Sequence, residues 1–168
     1  MTAERQERKS RRDIARVLAG AAVGLLAGLP AVRLYAATTD PVVSNRHTGL
    51  AIDGFDPVAY FVDGAPKPGR AGLELPLHGA IWRFCNEGNR AAFAANPAAY
   101  APRFGGHDPV AAARGAATPG HPELWLIAQG GLYLFYSAEA RAAFARDPGG
   151  AIEAAERHWP EVLKNLSP

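Results

Sequence analysis

Hydrophobic positions divide this chain into an N-terminal apolar run, a series of short apolar segments and a C-terminal helical spacing. Val17 to Val32 carries no charge for sixteen residues and is interrupted by Gly20, Gly24, Gly28 and Pro30. It falls short of the roughly 20 residues of a comfortable membrane-spanning helix. Thr38 to His47 is polar and reads as a linker, which places the start of a domain near Thr48. Val58-Ala59-Tyr60-Phe61-Val62 predicts a short strand between the breakers Gly54, Asp56 and Pro57 and the turn Asp63-Gly64. Ile152, Ala155, Trp159 and Val162 have helical spacing, and Pro160 is expected to kink or divide that helix.

The middle of the chain contains an internal repeat. Gly79-Ala80-Ile81-Trp82-Arg83-Phe84-Cys85-Asn86 precedes Arg90-Ala91-Ala92-Phe93-Ala94 and Asn96-Pro97. Gly130-Gly131-Leu132-Tyr133-Leu134-Phe135-Tyr136-Ser137, 51 residues later, precedes Arg141-Ala142-Ala143-Phe144-Ala145 and Asp147-Pro148. Each copy reads as a strand, a helix N-cap (Asn86, Ser137), a short helix and a proline stop, since Asn and Ser side chains accept from free helical N–H groups. Side chains alternate along a strand, so Trp82 and Phe84, like Tyr133 and Phe135, share a face onto which Phe93 and Phe144 turn back. Leu73 to Leu77 and Leu124 to Ala128 supply hairpin partners. The expected fold class is α+β: a small antiparallel sheet with helices on one side, built from two pseudo-repeated strand–helix units.

Charge changes the picture at the N-terminus. Seven of the eighteen basic residues lie in the first 36 positions, leaving 11 basic and 13 acidic residues beyond them. That remainder offers no footprint for nucleic acid. A basic segment followed by an apolar run is the order of an export signal. Ser10-Arg11-Arg12-Asp13-Ile14 resembles the twin-arginine signal, with Arg33 late in the leader. The expected organisation is a leader at 1–37, a linker at 38–47 and a domain at 48–165, delivered to the periplasm by the twin-arginine export machinery. Cleavage near Ala36 or Ala37 and retention as an inner-membrane anchor both stay open. One cysteine excludes an internal disulfide.

Gly54-Phe55-Asp56-Pro57-Val58-Ala59-Tyr60-Phe61 and His78-Gly79-Ala80-Ile81-Trp82-Arg83-Phe84 are followed by Asn89-Arg90-Ala91-Ala92-Phe93. Asn96-Pro97-Ala98-Ala99-Tyr100-Ala101-Pro102 and Gly105-Gly106 complete the series. In order and spacing, Gly49 to about Trp159 resembles the YHS-domain family, in its small secreted subgroup. The resemblance implies heavy-metal binding, copper especially. Two positions depart from it: Ala59 stands where metal-linked relatives place a cysteine. His107-Asp108 follows Gly105-Gly106 where secreted relatives have Tyr-Cys or selenocysteine. Cys85 alone matches a family cysteine, and one thiol is a poor site for Cu(I), which prefers two or more soft ligands.

The candidate metal ligands are His78, Cys85, His107 and Asp108, for copper or zinc. His107 with Asp108 has the composition of a Zn(II) or Cu(II) site, or of an acid–base pair, and equally of a solvated loop. Cys85, before a helix N-cap and two residues from Arg83, is expected either as a thiol of lowered pKa or as a small buried hydrophobe. Asp53 and Asp56 read as turn residues. No nucleophile–base pair, phosphate loop or dinucleotide fingerprint occurs. The expected function is non-catalytic binding of a metal ion or small ligand, with a partner-binding accessory protein and a thiol or acid–base enzyme as alternatives.

Overall fold

Two tight hairpins form the centre of the fold. The computed structural model describes residues 42–166, so the leader and the start of the linker lie outside the described residues. Strands β1 (Glu74–Leu77) and β2 (Ala80–Arg83) pair antiparallel, as do β3 (His121–Ala128) and β4 (Gly131–Phe135). Both hairpins close through two residues with positive φ, His78 (52°) with Gly79 (76°) and Gln129 (49°) with Gly130 (73°). This mirror-image turn suits the right-handed twist of paired strands. Helices α1 (Ala59–Val62), α2 (Glu87–Ala95), α3 (Pro97–Tyr100), α4 (Pro109–Ala112), α5 (Ala138–Arg146) and α6 (Pro148–Leu166) complete the α+β fold.

The repeat-unit helices start as expected: Asn86 Oδ1 accepts from Asn89 N at 2.8 Å, and Ser137 Oγ from Ala140 N at 3.2 Å. Phe93 packs on Trp82 and Phe84, and Phe144 on Tyr133 and Phe135. Other expectations are refined. The strands make two separate two-stranded sheets. Residues 58–62 contribute the helix α1 instead of a strand. The Asp56 carboxylate accepts from Val58 N at 2.9 Å, and this side-chain turn sends the chain into helical dihedrals despite its β-branched residues. The last helix runs from Pro148 to Leu166 through Pro160 as one element. Val43 donates to Gly105 O and accepts from Ile52 N, so the fold takes in part of the segment read as linker.

The duplication reaches further back than the strand–helix units. Ile52-Asp53-Gly54 and Phe104-Gly105-Gly106 are both left-handed turns, with φ of 42°, 53° and 80° in the first and 55°, 60° and 91° in the second. Asp56 N donates to Lys67 O and Asp108 N to Thr118 O, both at 2.8 Å. Gly69 N donates to Gly54 O at 2.8 Å and Gly120 N to Gly106 O at 2.9 Å. Each half is therefore a left-handed turn, an aspartate, a short helix, a glycine contact, a hairpin and a capped helix.

The halves join through β4. All five of its residues are buried, with Leu132 and Leu134 in one core cluster beside Trp82, Phe84 and Phe93. Tyr133 and Phe135 face a second cluster with Phe144, Ile152 and Trp159. A strand covered on both faces reads as a continuous apolar run, as Leu132 to Phe135 does. Tyr60 adds a cross-link: its hydroxyl donates to Pro122 O at 2.9 Å and its ring meets Trp125 edge-on.

A side chain at Gly69 would come within 2.6 Å of the Arg83 carbonyl carbon, and one at Gly120 within 2.6 Å of Leu134 Cβ. Gly69→Ala and Gly120→Ala are each expected to destabilise the protein by about 1–3 kcal/mol in urea unfolding, as overpacking of backbone against backbone does. An unchanged midpoint in either variant would show that its hairpin yields.

Candidate functional site

Each half buries one aspartate at the same structural place. Asp56 is fully buried; its Oδ1 accepts from Val58 N, and its Oδ2 from Cys85 N at 2.9 Å and Asn89 Nδ2 at 2.7 Å. The carboxylate thereby ties the loop before α1 to the end of β2 and the first turn of α2. Asp108, 2 % exposed, does the same work in the second half. Its Oδ1 accepts from Val110 N at 2.7 Å and Ala111 N at 3.4 Å, and its Oδ2 from Tyr136 N at 3.0 Å. Buried carboxylates persist when hydrogen-bond donors replace water.

Cys85 sits in this arrangement with its sulfur 3.3 Å from Asn86 Nδ2 and 3.4 Å from Asn89 Nδ2. Its environment reverses the expectation of a lowered pKa. Burial pushes the thiol up, and the Asp56 carboxylate that it hydrogen-bonds pushes it further, against a smaller lowering by Asn86. Arg83, expected to favour the thiolate, instead pairs with Glu74 at 2.7 Å. Cys85 is a protonated thiol beside a carboxylate at neutral pH, which is the wrong electrostatics for a nucleophile.

The histidines do not join it. His78 is an exposed residue at the tip of the first hairpin, held there by the turn geometry. His107 is 6 % exposed, not part of a solvated loop: Nδ1 donates to Phe104 O at 2.9 Å, and the ring packs tilted against Trp159 with centroids 5.4 Å apart. His107 and Asp108 are both in extended backbone, where successive side chains point to opposite sides. His107 accordingly enters the core against α6, while the Asp108 carboxylate accepts from Tyr136 N at the end of β4. Among the described residues no three His, Cys, Asp or Glu side chains gather into a group able to hold a metal ion. His78 lies at the tip of the first hairpin, Cys85 beside Asp56 in the first half, and His107 with Asp108 in the second half.

A groove of about 450 Å³ opens over Asp108, between α4, α5 and the Arg114–Thr118 segment. Val110, Ala111, Ala140 and Ala143 provide apolar wall; Arg114, Thr118, Tyr136, Glu139 and Arg146 provide polar rim. Glu139 is engaged at the start of α5: its own backbone N–H and the Ser137 hydroxyl hold its carboxyl below the usual range. Reading the sequence missed Asp56, Asn89, Arg114, Tyr136 and Arg146. A signal for the aspartates was present: Gly-Phe-Asp-Pro-Val-Ala at 54–59 returns as Gly-His-Asp-Pro-Val-Ala at 106–111. The exposed arginines carry no such signal, since only the fold brings residues 114 and 146 to one rim.

Compared with protein-family models, curated proteins and solved structures, the chain matches none. The geometry of the two aspartates is therefore the basis for reading the site.

Because the thiol pKa is raised, alkylation of native Cys85 by iodoacetamide is expected to be slow at pH 7. The rate should climb only above the ordinary thiol range near pH 8.5. The same shift makes the protonated thiol contribute to stability below that range, a contribution lost as pH rises through the folded-state value. Rapid alkylation at pH 7, measured by mass spectrometry, would contradict this placement of Cys85 against Asp56.

Proposed function

We propose that this chain is an exported, non-catalytic binding domain of YHS type whose ligand is a small molecule. The groove over Asp108 carries the proposal: it joins a buried carboxylate, an apolar wall and charged groups on its rim in a volume of about 450 Å³. Sites for small molecules fall at roughly 300–1,000 Å³ and combine such walls with a few convergent polar groups. Export to the periplasm is supported by the basic and apolar order of the leader, and YHS kinship by the motifs from Gly54 to Gly106.

The other readings have less support. A metal ion would need ligands that converge, and among the described residues no three His, Cys, Asp or Glu side chains gather into such a group. A thiol enzyme would need a lowered pKa at Cys85, where burial and Asp56 raise it. A partner-binding surface would need a contiguous apolar patch. Among the described residues the exposed large hydrophobics are Val62 on α1, Ile127 on β3 and Tyr136 just after β4.

Amide-detected NMR of the full-length protein against a mixed library of small polar molecules is expected to give shifts concentrated on Tyr136 to Ala143. Elemental analysis after native export should find well under one equivalent of copper or zinc, with the unfolding midpoint unmoved by a chelator. Near-stoichiometric metal that disappears in Cys85→Ala or His107→Ala, or shifts scattered over the surface, would overturn the proposal.

A further inference from the structure

The two halves differ at the residues around their buried aspartates, and those differences describe the ligand. In the first half Asn89 Nδ2 bonds Asp56 Oδ2 at 2.7 Å, and Asp63 pairs with Lys67 at 3.1 Å. In the second half Ala140 stands at the place of Asn89, Arg114 at that of Asp63 and Thr118 at that of Lys67. Among the described residues the donor to Asp108 Oδ2 is Tyr136 N, and the residue is as buried as its counterpart. A buried carboxylate oxygen gains from each added donor, because hydrogen bonds to charged groups are the stronger class. Arg146 stands where the first half has Ala95. Arg114 and Arg146 form no ion pair among the described residues.

Resting on the small-ligand reading, we infer that the groove takes a molecule of amino-acid or dipeptide size carrying a donor nitrogen and a carboxylate. The nitrogen donates to Asp108 Oδ2, as the Asn89 amide does to Asp56 in the other half. The carboxylate meets Arg114 and Arg146, whose planar guanidiniums match its geometry. Tyr136, 68 % exposed, offers a ring face to the ligand's side chain beside Ala140 and Ala143.

The test uses the full-length protein, with alanyl-leucine and its C-terminal amide as probes and amide NMR as readout. Alanyl-leucine is expected to shift Tyr136 to Ala140 saturably, and its C-terminal amide to bind about tenfold more weakly or worse. Ala140→Asn installs the first half's internal donor, so it should weaken alanyl-leucine about tenfold or more without lowering the unfolding midpoint. Arg114→Ala/Arg146→Ala should weaken it comparably. Equal binding of the amide form, or undiminished binding by Ala140→Asn, would overturn the inference. Benzoate and inorganic phosphate separate the two levels of the reading. If either binds the groove while alanyl-leucine does not, the ligand class is wrong and the small-ligand reading stands. If none of the three probes shifts the groove amides, both fall.

Discussion

A carboxylate shut away from water, accepting N–H groups from a loop on one side and from a strand end on the other, fixes the shape of each half of this protein. Asp56 and Asp108 each draw the loop before a short helix onto the last residues of a hairpin. The turns that deliver them are strained, with Ile52, Asp53 and Phe104 in the left-handed region. Such residues cost about 1–3 kcal/mol each and persist only where the surroundings over-determine them. Hydrogen bonds to a charged group contribute about 1.5–3 kcal/mol each, so two or three of them are of the size needed to hold the turn. Burial of Ile52 and Phe104 in the two cores adds to the same side.

From this constraint the rest follows in order. The pinned loop brings Gly69 or Gly120 against the facing strand, where a side chain has no room. The hairpin then presents its aromatics to the capped helix, and β4, flanked on both sides, merges the halves into one body. The duplication also separates what one copy does from what both share. The aspartate, the left-handed turn and the cap are common and structural. Asn89 against Ala140, Asp63 against Arg114 and Cys85 against Tyr136 are the points of divergence, and they cluster around the aspartates. In one half a protein amide bonds the carboxylate; in the other Ala140 stands at that place.

Much of the frame was legible in the sequence. The strand–helix repeat, the Asn86 and Ser137 caps, the Phe93 and Phe144 packing and the α+β class rest on periodicity and local hydrogen bonding, which act over a few residues. Residues 58–62 were misread because an apolar β-branched run favours strand locally, whereas the Asp56 side chain imposes a helical turn. Of the two readings open for Cys85, the lowered pKa rested on Arg83 and the helix start as sequence neighbours, whereas burial and then Asp56, 29 residues away, push the thiol up. His107 and Asp108 were grouped because they are adjacent, yet extended backbone sends them to opposite sides. The groove was invisible for a related reason: its rim is assembled from two separate segments, 108–118 and 136–146.

The central claim is that the two buried aspartates hold the two halves by equivalent means. Urea unfolding of full-length Asp56→Asn and Asp108→Asn tests it most directly. Each change keeps the side chain's shape but can set an amide N–H against the N–H of Cys85 or Tyr136. A loss of about 2 kcal/mol or more in both variants is predicted from the charged hydrogen bonds removed. A loss below about 0.5 kcal/mol in either would contradict the account, because that carboxylate would then be a bystander in its half.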